Sequence, residues 1–104
     1  MAGPKIYHSH IPDALIPNDL SFHQFLLRYN PDDAPDDKVI FEDFSPPKKQ
    51  LTYGGLRQAA AVAAGTITRR YGLKEGDSVA VVGANSVNWA LLAHAVIWFG
   101  GICV

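Results

Sequence analysis

Apolar residues recur along this chain with several spacings, and each spacing marks a different kind of segment. From Met1 to Asn18 no period is sustained, and Pro4, Pro12 and Pro17 interrupt any helix and remove backbone donors, so the pattern predicts an extended arm over residues 1–18. Ser21-Phe22-His23-Gln24 then has the Ser-x-x-Gln form of a capping box. Behind it, Phe22, Phe25, Leu26 and Tyr29 fall on one face of a helix running to about Tyr29. The proline and aspartate stretch from Pro31 to Asp37 predicts a turn-rich, solvated loop. Val39 to Phe44 and Gln50 to Tyr53 read as two strands of a hairpin, joined by the Ser45-Pro46-Pro47-Lys48-Lys49 turn.

Beyond the hairpin the period lengthens. Tyr53, Leu56, Ala60, Ala63, Ile67 and Tyr71 repeat about every 3.6 residues, which predicts a helix with Thr52 as its cap and Gly72 as its stop. Arg69 and Arg70 sit in its last turn, where positive charge suits the helix dipole. Ser78 to Gly83 is apolar without alternation, the mark of a parallel strand covered on both faces. Asn85 or Ser86 caps a following helix, Val87 to Phe99, that is apolar on nearly every side. Gly100-Gly101 closes it, and Ile102-Cys103-Val104 begins another apolar strand. A helix apolar all round needs partner surfaces all round, and this chain supplies few of them. The expectation is part of a larger fold.

Composition narrows the class. At 104 residues the chain is one small domain or a piece of one, and 48% hydrophobic with 18% charged residues is a globular balance. A net charge of −1, with no run of Lys or Arg longer than a pair, gives neither a nucleic-acid footprint nor a polybasic membrane patch. The single Cys103 excludes an intramolecular disulfide. The longest apolar stretch, Val87 to Phe99, falls short of the roughly 20 residues a membrane span needs, and no secretory h-region follows Met1. An intracellular protein with no nucleic-acid partner and no membrane span is expected.

The candidate chemistry is sparse. Gly83-Ala84-Asn85-Ser86 stands at a strand-to-helix turn, a place where nucleotide phosphates bind. A dinucleotide fingerprint starting at Gly83 needs glycine at 85 and 88, where Asn85 and Asn88 stand, and a Walker loop needs glycine and lysine where Asn88 and Trp89 stand. No Asp or Glu follows Asp77 to hold a ribose. Gly54-Gly55 has neither a lysine nor a spaced third glycine, so it reads as a structural pair. Asp32, Asp33, Asp36 and Asp37 lack calcium-loop spacing, and His8-x-His10 offers two imidazoles where zinc needs at least three protein ligands. His94 on the apolar helix reads as a hydrogen-bonded core histidine, and Cys103 as an inert thiol. The residues therefore nominate no catalytic, cofactor-binding or metal-binding position.

Taken in order, Ile6-Tyr7-His8-Ser9, Pro12-Asp13, Ile16-Pro17-Asn18, Leu51-Thr52-Tyr53, Gly72-Leu73-Lys74-Glu75-Gly76-Asp77-Ser78-Val79-Ala80, Asn85-Ser86, Trp89 and Gly100-Gly101 resemble the start of acyl-CoA synthetases of the adenylate-forming superfamily, and among them the coumarate CoA ligase branch. The resemblance spans essentially the whole chain, and the arm is its most branch-specific part. One departure is Val87-Asn88, where relatives often carry Pro-Glu. It implies an α/β fold in which residues 1–104 are the incomplete N-terminal part of a large adenylate-forming domain, with an arm, a β-hairpin and β-α units of a parallel sheet.

By the same resemblance, full-length relatives use ATP and magnesium to convert a carboxylic acid to an acyl adenylate, then pass the acyl group to coenzyme A. Their phosphate loop, acid pocket, ribose aspartate and C-terminal lysine lie beyond position 104. No site residue carries over, and the fragment is expected to be inactive alone and to hold no cofactor. The missing remainder is its expected packing partner, in the cytoplasm or peroxisome. The alternative is a non-catalytic interaction or complementation module acting through the 86–99 helix; a small nucleotide-binding domain is disfavoured by the missing glycines.

Overall fold

The computed structural model describes residues 3–104. Its elements run α1 (Phe22–Leu27), β1 (Val39–Glu42), β2 (Gln50–Thr52), α2 (Tyr53–Tyr71), β3 (Ser78–Val79), α3 (Val87–Trp98) and β4 (Ile102–Cys103). The arm ahead of α1 has no regular structure and leaves Ile6, Tyr7, Ile11, Leu15 and Ile16 exposed. It helps raise the radius of gyration to 17.8 Å, against about 13 Å for a closely packed domain of this length. Met1 and Ala2 lie outside the described residues.

The capping box forms as the sequence implies: Gln24 N–H donates to Ser21 Oγ, and the Ser21 amide donates to Gln24 Oε1. α1 is nevertheless shorter than expected, ending at Leu27, and a different residue is buried. Leu27 is enclosed, whereas Phe22 is 62% exposed. A helix of six residues is less than two turns, so its orientation is set by where its end docks rather than by its own period.

β1 and β2 pair antiparallel, with Val39 opposite Thr52, Phe41 opposite Leu51 and Glu42 opposite Gln50. The register slips between Val39 and Phe41, so Ile40 is an extra residue and both it and Phe41 turn partly inward. Both strands are shorter than the sequence suggests, stopping at Glu42 and Thr52. Asp43 still reaches the opposite strand through its amide, which donates to the Lys49 carbonyl.

α2 starts directly from β2. Thr52 Oγ1 accepts from the Gly55 amide, while the Tyr53 and Gly54 amides donate to the carbonyls of Lys38 and Asp36. Gly72 ends the helix at φ 64°, a left-handed conformation that glycine adopts without strain. The buried stripe is Gly54, Leu56, Ala60 and Ala64: the predicted Leu56 and Ala60 are enclosed, Ala63 and Ile67 are half-buried beside them, and Tyr71, in the last turn, is 68% exposed. Leu27, Leu56 and Ala60 form the centre of the core, with Leu26, Ile40, Phe41, Leu51 and Trp98 packed around them.

β3, α3 and β4 make a parallel β-α-β unit, with Ser78 opposite Ile102 and Val79 opposite Cys103. The ladder runs on past the assigned strands: the Val104 amide donates to Val79 and the Val81 amide to Val104. α3 packs on α2 and on the sheet, burying Val87, Ala90, Ala93, Ala95 and Val96. The sequence predicts a strand covered on both faces, and here the structure differs. Val79, Val81 and Cys103 turn toward the helices, while Ala80, Val82, Ile102 and Val104 face outward and uncovered. The fold is α/β, with one antiparallel hairpin and one parallel pair.

Candidate functional site

The strand-to-helix corner at 83–86 is where a phosphate would be sought, and its amides are already used. Ser86 is the N-cap of α3, its Oγ accepting from the Trp89 amide at 3.2 Å and its carbonyl from the Ala90 amide at 3.1 Å. Asp43, at the end of the hairpin, accepts the Val87 amide on Oδ1 at 2.8 Å. Of the first four amides of α3, only that of Asn88 is left without a partner among the described residues. The half-buried Asp43 carboxylate also occupies the positive end of the helix, so an incoming phosphate would meet a negative charge where it needs donors. This corner joins two elements.

Sequence reasoning missed Asp43, because its partner lies 44 residues away and no local pattern announces such a contact. The same holds for Lys49, whose Nζ donates to Asn88 Oδ1 at 3.1 Å. Together they clamp the turn end of the hairpin onto α3. Between them lies a groove of about 390 Å³ lined by Phe41, Phe44, Trp89, Ala90 and His94. The Trp89 indole donates to the Val81 carbonyl, which fixes its ring at one wall.

His94 is the core histidine the sequence suggests. Its Nδ1 lies 2.7 Å from the Ala90 carbonyl, and its ring meets Phe41 edge-on at 5.9 Å. A carbonyl can only accept, so the proton sits on Nδ1. With no carboxylate or hydroxyl bonded to the ring among the described residues, the arrangement is that of a packed side chain rather than a base paired with an orienting group.

Gly54-Gly55 likewise resolves as packing. A Cβ at Gly54 would stand 3.0 Å from the Asp36 side chain, and one at Gly55 would stand 2.8 Å from Thr52 Oγ1. Gly54 lets the 31–38 loop lie against the helix start, Gly55 makes room for the capping Thr52 hydroxyl, and the loop carbonyls fill donors a phosphate would need. Asp36 is therefore more than a solvated loop residue: it pairs with Arg57 at 2.6 Å, and Arg57 also donates to the Leu27 carbonyl at 3.0 Å. Among the described residues no three His, Cys, Asp or Glu side chains gather as metal ligands, His8 and His10 are exposed, and Cys103 is half-buried and free. Nor is any helix among them long and apolar enough to cross a membrane.

Titration is perturbed at His23. Its ring lies tilted by 34° against Trp98 at 4.8 Å between centroids and shares a hydrogen bond with Ser21 Oγ. Desolvation, and then the nearby Arg28 charge, hold its pKa below the usual 6.5. This is a contact between α1 and the end of α3, away from the 83–86 corner.

Among the described residues the arrangement therefore positions secondary structure around a corner and brings no reactive pair together. Comparison with other proteins gives the context. No curated protein matches the chain by sequence. Among solved structures, apo MatB from Rhodopseudomonas palustris superposes with a TM-score of 0.61 at 25% identity, over 81% of this chain. The chain spans 16% of that protein's length. A model of the AMP-binding enzyme family matches residues 27–104, which takes in the hairpin, α2 and the whole β3-α3-β4 unit and leaves the arm outside. On that match the chain belongs to the AMP-binding enzyme family.

Proposed function

We propose that residues 1–104 are the N-terminal section of an ATP-dependent acid CoA ligase of the coumarate CoA ligase-like branch. Such an enzyme forms an acyl adenylate with ATP and magnesium and then an acyl-CoA thioester. The observation that carries the reading is the family match over 27–104, joined to a structure in which protein groups take most of the helix-start amides at the β2-α2 and β3-α3 junctions. In this reading the section is scaffold. Residues 1–104 contribute no catalytic, cofactor or metal ligand, and the nucleotide and acid bind to the rest of the domain, in the cytoplasm or peroxisome.

The branch assignment rests on the arm, which lies outside the matched residues. Sequencing the transcript past the Val104 codon is the test. A continuing open frame that encodes a Ser/Thr/Gly-rich phosphate loop is the expected result. An immediate stop codon overturns the ligase reading and leaves a complementation module, whose mark is one stoichiometric partner recovered with the tagged chain.

A further inference from the structure

We infer that the groove between the hairpin and α3 binds a small organic cation, an ammonium group carried on a flat apolar body, separately from the ligase role proposed for the section. Its volume is about 390 Å³, within the range of roughly 300 to 1,000 Å³ that small-molecule sites occupy. Phe41, Phe44 and Trp89 give it aromatic walls, and Glu42, Asp43 and His94 are its ionisable residues. No Lys or Arg among the described residues lines it. Lys49 belongs to the adjoining groove, where its Nζ donates to Asn88.

Two of its polar groups are set to accept. His94 donates Nδ1–H to the Ala90 carbonyl, which leaves a lone pair on Nε2, and no described residue donates to that atom. Asp43 spends Oδ1 on the Val87 amide, while its Oδ2 has no hydrogen-bond partner and its carboxylate no ion pair among the described residues. The partial positive charge at the start of α3, about half a unit, does not cancel a full carboxylate charge. A cation is attracted to that residual charge and to the aromatic faces alike, and its N–H groups match the free acceptors. A neutral ligand gains only the walls, and an anion is repelled by Asp43.

The test is a titration of the chain at neutral pH with 2-phenylethylammonium, with 2-phenylethanol as its neutral counterpart and 3-phenylpropionate as an anionic one, followed by NMR at the Trp89 indole and the His94 ring. The expected result is saturable shifts at both residues, with the ammonium ion bound at least about fivefold more tightly than the alcohol and the carboxylate not bound. Asp43→Asn keeps an acceptor for the Val87 amide and should reduce the ammonium affinity to that of the alcohol. Phe44→Ala removes one wall at a position 96% exposed, so it should weaken binding while leaving the melting temperature unchanged. Equal affinities for ammonium ion and alcohol overturn the inference, as does an ammonium preference that survives Asp43→Asn, or saturable shifts confined to Trp98. Tighter binding of a capped Gly-Lys-Gly peptide than of the free amine overturns the choice of a small molecule in favour of a protein lysine.

Discussion

Ser86 and Asp43 divide the first amides of α3 between them, one from within the local sequence and one from the hairpin. Removing either leaves a helix-start donor unpaired. Ser86→Ala and Asp43→Ala should each cost about 1 kcal/mol in urea unfolding, and Asp43→Asn should cost less, because the amide oxygen still accepts while the charge at the helix start is lost. His23 gives a pH signature. Its folded pKa is lowered, so the neutral form is favoured in the folded state. The unfolded chain therefore binds more protons as pH falls below about 6.5, and the His23 contribution, complete above that value, declines through the folded pKa. Thermal melts at pH 7.5 and pH 5 should diverge less in His23→Phe than in the parent. Equal divergence would remove His23 as the source.

At the scale of elements, the glycines of α2 separate two kinds of position. Gly65 lies mid-helix, and a Cβ there would meet the Arg69 guanidinium at 3.6 Å, an ordinary contact. Gly65→Ala should stabilise the chain by about 0.5 to 1 kcal/mol through lost freedom of the unfolded state. Gly54→Ala should do the opposite, because Asp36 stands 3.0 Å away and its carbonyl holds the Gly54 amide. Melting temperatures moving in opposite directions are the check; a rise in both would mean that the loop does not press on the helix. Leu56→Ala, at the centre of the core, should cost about 2 to 5 kcal/mol. The elements themselves were legible: capping box, α2 with its Thr52 cap and Gly72 stop, and Ser86 before α3. The buried faces were legible in part: Leu56 and Ala60 lie on the predicted face of α2, but Leu27 and Ala64 do not lie on the predicted faces, since α1 and α2 are oriented by Arg57 bridging Leu27 and Asp36 and by the docking of α3.

For the whole molecule, the exposed Ala80, Val82, Ile102 and Val104 face and the apolar arm set how the chain behaves in solution. The chain alone should bind an apolar dye such as ANS and show no thermal stabilisation with ATP or an acyl adenylate analogue, because no cluster of free amides or cations meets a phosphate at either candidate turn. A nucleotide-dependent rise in melting temperature would contradict the scaffold role.

The sequence by itself determined the local grammar of this protein: where the helices start, that α2 stops at Gly72, that 39–52 is a hairpin, and that glycines at 54, 55 and 83 lack the companions a phosphate loop requires. These are short-range facts, governed by backbone donors and steric limits within a few residues. Tertiary structure alone decided why those turns are closed, because the groups that fill them come from elsewhere: Asp43 for the start of α3, the Lys38 and Asp36 carbonyls for the start of α2. It also decided that the parallel pair has one covered and one open face, since burial depends on which surfaces meet in space, and a run of apolar residues is the same run whether one face is covered or both.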